Sequence, residues 1–242
     1  MYKLQYKSFG EKAILIEWQP AISIEILDDI LLFRSKILSQ KTTSIADIII
    51  GYHSLTIIYN SFIFNYLEEI KILKSIYTSN VTIEQKPHFL WEIPVCYEDE
   101  FGFDLEEISK KTKLSKSQII QIHSEAIYTV FFIGFLPGFL YLGGLDSRLF
   151  IDRKPNPRLQ IEKGSVAIGG KQTGIYPSNS PGGWNIIGKT PITFFDVENE
   201  KPCFASPKDR IHFVSVSKEE FFEIQEKMNN KTYQLQQKVI HD

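Results

Sequence analysis

The sequence predicts an α+β fold: a small N-terminal α+β sandwich followed by a β-rich second domain. Three observations carry the prediction. Residues 1–80 alternate β-branched runs with apolar stripes at helical spacing, in the order ββαββα. Residues 81–87, Val-Thr-Ile-Glu-Gln-Lys-Pro, lose that periodicity and end on a proline, so they read as a connector. Beyond it, eleven of the 14 glycines fall between Gly134 and Gly188. Such density belongs to short strands joined by tight turns, or to backbone that closely approaches a ligand. The domains are therefore placed at 1–86 and 87–242.

In the first domain, Tyr2–Ser8 and Ala13–Trp18 read as strands around a hairpin-like turn at Gly10-Glu11-Lys12. Ile22 to Leu38 has the spacing of a helix. Ile45–Tyr52 and Leu55–Tyr59 are β-branched strands flanking His53-Ser54, and Leu67 to Tyr77 repeats the helical stripe. The second domain begins with a strand at Phe89–Tyr97. Helices follow at Asp104–Thr112, with Asp104 as N-cap, and at Ser115–Ser124, which opens on an S-x-x-Q capping box. Ala126–Phe135 is an apolar strand, and Ile192–Asp196 and Ile211–Val216 are further strands. Lys218–Met228 is a last helix with Phe221, Phe222 and Ile224 inward, and Gln234 onward reads as a frayed tail.

Composition narrows the function classes. The chain has 242 residues, 43% of them hydrophobic, enough for real cores. A formal net charge of -2 argues against nucleic acid or an anionic membrane as the main partner. Cys96 and Cys203 form no CxxC, and the histidines His53, His88, His212 and His241 stand apart without ligand spacing, so no metal is expected. No leader-like apolar region opens the chain and no apolar run reaches membrane-spanning length, so a cytoplasmic location is expected.

The chemistry-bearing residues lie between Gly134 and Pro191. Four pieces stand out: Gly134-Phe135-Leu136-Pro137-Gly138-Phe139-Leu140-Tyr141-Leu142; Pro157-Arg158 with Gly164-Ser165-Val166; Gly169-Gly170-Lys171-Gln172-Thr173-Gly174-Ile175-Tyr176-Pro177; and Ser180-Pro181-Gly182-Gly183-Trp184 running to Gly188-Lys189-Thr190-Pro191. Successive backbone N–H groups in such loops can face an anion. Arg158 can clamp a carboxylate or phosphate, or serve as a structural ion pair. Lys171 and Lys189 can act as point charges. His123 is a candidate acid/base, or a residue with a capping or packing role at a helix end. Gln172 and Tyr176 can orient a carbonyl. Gly182 and Gly183 serve either turns or close approach, and Trp184 is a core or interface anchor. Gly183 to Thr190 also satisfies G-x4-G-K-[ST], but the residues before it are turn formers and those after it read as a strand, which is the wrong context for a P-loop.

In order and spacing these pieces closely resemble the KipI/PxpB family, also described as the B subunit of 5-oxoprolinase and as allophanate hydrolase subunit 1. His123 with Tyr128 five residues on, Pro94-Val95 and Gly102-x-Asp104-Leu105 also match. The chain departs from the family pattern at Ile161-Glu162-Lys163 and at Lys208-Asp209. The resemblance implies that the second domain is a cyclophilin-like β-barrel. It also implies ATP-dependent cleavage of 5-oxoproline to glutamate, with PxpC (KipA-like) and PxpA (LamB/YcsF-like) partner subunits. ATP would be a co-substrate, with or without Mg, and no tightly bound cofactor is implied. His123, Arg158 and Gln172 become the catalytic candidates; Gly170, Lys171, Tyr176, Gly182, Gly183 and Lys189 become the substrate- or nucleotide-binding ones. Alternatives within the same resemblance are an inhibitor docking on a sensor histidine kinase and a component of an allophanate- or urea-linked amide hydrolase.

Overall fold

The computed structural model describes residues 1–40, 43–63, 65–81 and 87–240. The chain forms two compact units, Met1–Lys86 and Pro87–Asp242. The connector expected at 81–87 lies largely outside the described residues.

The first unit is a four-stranded antiparallel sheet in the order β1 (Gln5–Ser8), β2 (Ala13–Glu17), β4 (Ser54–Tyr59), β3 (Ile45–Ile50). Helices α1 (Ile24–Ser39) and α2 (Tyr66–Thr78) cover one face. The period-2 pattern of β4 buries Leu55, Ile57 and Tyr59, which meet Ile26, Ile30, Phe33 and Ile37 of α1 and Leu73 and Tyr77 of α2. Burying each such side chain stabilises by roughly 1.5–3 kcal/mol. Ser23 caps α1 at Ile26 and Asn65 caps α2 at Glu68. At the other end of α2, the buried Lys36 ammonium donates to the carbonyls of Tyr77 (2.9 Å) and Ser79 (2.7 Å), where orphan carbonyls favour a cation.

The second unit is built on an eight-stranded mixed sheet. Its strands are β5 (His88–Val95), β6 (Ile127–Ile133), β7 (Leu140–Gly143), β9 (Ser165–Gly169), β10 (Gln172–Ile175), β12 (Asn185–Lys189), β13 (Arg210–Ser215) and β14 (Gln237–Ile240), in the order β12-β9-β10-β7-β6-β13-β5-β14. Only β13–β5 is parallel among these pairs. The expected β-barrel is corrected: among the described residues no continuous ladder closes the sheet. A single bridge, Cys96 with Lys189, joins the end of β5 to β12. A side ribbon of β8 (Arg158–Ile161) and β11 (Ser180–Gly182) stands apart from the large sheet. Helices α3 (Leu105–Thr112) and α4 (Lys116–Glu125) pack on β12 and β13, and α5 is Lys218–Asn229. The capping box of α4 forms as expected, with Gln118 N–H on Ser115 Oγ (3.2 Å) and Ser115 N–H on Gln118 Oε1 (2.9 Å).

Four expectations change. Residues 192–196 form no strand; Pro191 lacks a donor, yet Ile192 and Phe194 still alternate into the core. Phe222 is exposed on α5, while Phe221 is buried. Asp104 occupies the N-cap position of α3, but its carboxylate makes no capping bond. The tail is not frayed throughout: Gln237–Ile240 pairs antiparallel with β5 and covers its edge. Removing residues 237–242 is expected to lower Tm by about 2–4 °C for a loss near 1 kcal/mol, and to promote self-association through the bared β5 edge. Thermal unfolding with light scattering checks both.

Candidate functional site

The glycine-dense pieces converge on an aromatic cluster. Phe139 is its centre, edge-on to Tyr176 (5.5 Å), Trp184 (5.5 Å) and Phe135 (5.5 Å) between ring centroids. Tyr141 lies 5.0 Å away and stacks on Phe132. The glycines are where these rings lie against the backbone. A Cβ on Gly169 would meet the Trp184 indole at 2.6 Å, and one on Gly174 would meet Phe139 and Trp184 at 3.2 Å each. A Cβ on Gly182 would strike the Tyr176 hydroxyl. Tyr176 is pushed above its ordinary pKa by burial, with a backbone hydrogen bond from Trp184 acting the other way.

Beside this cluster stands a row of cations, Arg153 and Lys154 on the loop before β8 and Arg158 at its first position. Asp104 anchors it. The carboxylate is only 4% exposed. One oxygen accepts from the Ile186 N–H at 2.7 Å; the other accepts from Arg158 Nη2 at 2.6 Å and lies 3.1 Å from Lys154 Nζ. Arg158 also lies over the Phe103 ring at 4.9 Å. Lys154 reaches Glu107 as well, at 2.6 Å. Lys111 and Lys154 hold the Glu107 carboxyl down at about 2. Burial alone would lower Lys154, but its bonds to Glu107 and Asp104 outweigh it and raise its pKa. Arg153 is exposed, 5.5 Å above the Trp184 ring, and makes no ion pair among the described residues. Arg153, Lys154 and Phe103 were not singled out from the sequence. Three basic residues within the proline-rich Asp152–Arg158 stretch were the available signal.

The structure brings together Arg158, Tyr176, Gly182 and Gly183, and separates the other candidates. Gly170 (φ 65°) sits in the β9–β10 turn, where its N–H donates to Ile151 O (2.7 Å) and its carbonyl accepts from Ile151 N–H (3.2 Å); that N–H is therefore not a free anion donor. Lys171, next to it, lies over Phe150. Gln172 is half-buried at the start of β10. Lys189 lies in a separate polar cleft beside α5. The P-loop look-alike is a strand, and the Lys189 N–H is spent on Cys96 O at 2.9 Å.

His123 needs the largest correction. It is 0% exposed, stacked on Phe213 at 4.7 Å. Thr173 gives its hydroxyl proton to Ala167 O (3.0 Å), so Thr173 Oγ1 accepts from His123 Nε2–H (2.9 Å). Nδ1 is then the acceptor for the Tyr97 hydroxyl (2.8 Å). Both ring nitrogens are satisfied by core groups, and burial pushes the pKa from 6.5 down to about 3. The ring is a neutral core element, neither a helix-end cation nor a solvent-facing base. Among the described residues no group of three His, Cys, Asp or Glu converges as a metal site, and no helix is long and apolar enough to cross a membrane.

Because the unfolded chain takes up a proton that the folded His123 refuses, this histidine removes stability as pH falls from 6.5 towards about 3, at up to about 1.4 kcal/mol per pH unit. Its ring resonances in NMR spectra are expected to stay in the neutral Nε2–H form at pH 5; titration near 6.5 would contradict the burial. Asp104→Ala strands the Ile186 N–H and two cations, and is expected to cost about 3–5 kcal/mol in chemical denaturation. Gly169→Ala should destabilise by about 1–3 kcal/mol through overpacking against Trp184, read as a blue-to-red change in tryptophan emission along with a lower midpoint.

Comparison with known proteins places this architecture. Residues 4–205 match the carboxyltransferase domain, subdomain C and D. The 5-oxoprolinase B subunit of Bacillus subtilis is 45% identical over 57% of this chain and 58% of its own length. That of Haemophilus influenzae is 37% identical over 85% of this chain and 94% of its own. The crystal structure of TTHA0988 superposes with a TM-score of 0.72 at 29% identity, over 85% of this chain and 40% of that one. The K. lactis urea amidolyase superposes at 0.84 over 99% of this chain and 16% of its own, and at 21% identity it speaks for the fold alone. The chain thus belongs to the carboxyltransferase subdomain C and D family, among the proteins described as the B subunit of 5-oxoprolinase.

Proposed function

We propose that this chain is the B subunit of an ATP-dependent 5-oxoprolinase complex, opening 5-oxo-L-proline to L-glutamate with hydrolysis of ATP. One observation carries the reading: identity of 37% across 94% of the Haemophilus influenzae protein of that description. The geometry adds a physical rationale. 5-Oxoproline carries a carboxylate on a flat lactam ring, and ATP carries a polyphosphate. Both call for guanidinium and ammonium groups, and the ring suits an aromatic neighbour. Arg153, Lys154 and Arg158 with the exposed Phe103 ring offer that combination, while Trp184, Tyr176 and Phe139 are buried and form the packed core beside them.

The lactam is a resonance-stabilised amide. Phosphorylating its oxygen would make the ring carbon attackable by water, and cations near the transferred phosphoryl group stabilise the charge that develops. Opening the ring consumes one water and hydrolysing ATP a second. In this reading the chain acts with PxpC (KipA-like) and PxpA (LamB/YcsF-like) subunits, and ATP is a co-substrate. Arg158 is fixed by Asp104 and so serves as a rigid positioning cation, while Arg153 is the one able to take a substrate anion.

Release of glutamate and phosphate should be measured with the chain alone and with both partner subunits. Turnover is expected only in the reconstituted mixture. Arg153→Gln should lower kcat/KM by about tenfold to a hundredfold, the loss expected for one charge-assisted contact, with the melting temperature unchanged. Turnover by the chain alone would contradict the need for partners. A full mixture inert towards 5-oxoproline would overturn the reading itself.

A further inference from the structure

A cleft of about 360 Å³ is lined by residues of β8, of β12 and of the C-terminal part of α5. It falls within the size range of small-ligand sites, and its polar lining includes Glu162, Lys163, Lys189, Thr190, Thr193 and Asn229. The side chains there are unevenly satisfied. Lys189 is held over the Phe101 ring at 5.9 Å and pairs with Glu162 at 2.5 Å. The lysine is 22% exposed and the glutamate 68%, so the cation is the fixed member of the pair and the carboxylate the displaceable one. Lys163 Nζ donates to Thr193 Oγ1 at 3.2 Å and has no carboxylate partner among the described residues. Thr190 is buried; its Oγ1 accepts from Ile192 N–H at 3.3 Å, while its own proton goes to no acceptor among the described residues.

Two lysines and two threonines therefore line one space, with a single lining carboxylate that can neutralise only one of the cations. We infer that this cleft binds a small, multiply charged oxyanion of the phosphate class, and that Glu162 holds the anion's place on Lys189 while the cleft is empty. A dianion serves both lysines and takes the Thr190 proton, which the lone carboxylate on Lys189 does not. Displacing Glu162 costs little, because an exposed ion pair contributes at most about 1 kcal/mol. The two closing residues of the P-loop look-alike, Lys189 and Thr190, thus sit side by side in an anion site that has no P-loop geometry.

The inference is independent of the oxoprolinase reading, because it is tested by binding to the full chain alone. Inorganic phosphate and pyrophosphate are titrated at constant ionic strength and followed by amide NMR shifts. Saturable shifts are expected at residues 160–163, 189–190, 192–193 and 225–229. Lys163→Gln should weaken binding about tenfold, the loss expected for one charge-assisted contact. Glu162→Gln should tighten it by about threefold, the scale of removing a weak competing ion pair. Lys163 is exposed and outside any ion pair among the described residues, so its variant keeps the fold even if one at Lys189 does not. A parallel ADP titration separates the two sources: tighter ADP binding assigns the cleft to a nucleotide tail, equal or weaker binding to the free ion. Absence of saturable phosphate binding, indifference to Lys163→Gln, or weakening by Glu162→Gln would overturn the inference.

Discussion

The second unit depends on a carboxylate taken out of water. Asp104 ends the loop into α3, yet it does not cap that helix through its side chain. It reaches instead to the Ile186 N–H on β12 and to two cations, Lys154 on the loop before β8 and Arg158 at the start of that strand. Its backbone N–H also donates to Ile186 O, so one residue is doubly bonded to the strand. A buried charge is tolerable only when its acceptor sites are filled. Here that requirement fixes three segments at once: the start of α3, the strand β12 and the basic loop. Trp184, two residues before Ile186, is thereby placed under Arg153.

Glycine density in this chain has a packing meaning. The residues that look suited to cradling an anion in backbone N–H groups mostly make room for aromatic rings. Gly169 and Gly174 face Trp184 and Phe139, and Gly182 faces Tyr176. At Gly170, the one position among these with positive φ, the N–H is already bonded to Ile151. In both proposals, anion binding is accordingly assigned to side chains: to the guanidinium of Arg153, and to the lysines of the polar cleft. The buried His123 illustrates the same division. Its hydrogen bonds tie α4 to β10 and to the residue after Cys96, so a histidine can be indispensable to the core without meeting substrate.

The order of elements was legible in the residue string, because that order rests on local physics. Period-2 and period-3.6 apolar patterns gave the strands and helices of the first unit close to their observed bounds. The Ser115–Gln118 capping box stated where α4 begins. Motif order also identified the family, since residue types at set spacings can be read without coordinates. Where polar groups spend their bonds was settled only by long-range packing. Asp104 reads locally as a helix cap, and only its neighbour Ile186, distant in sequence, makes it a buried anchor. His123 reads locally as an acid/base or as a capping or packing residue, and burial against Phe213, Tyr97 and Thr173 decides for packing and makes it neutral. The strand at Gln237–Ile240 has no strong pattern of its own and exists because β5 offers an unpaired edge. The sheet stays open except at Cys96 and Lys189, because closure depends on register between strands far apart in the chain, which no local pattern encodes.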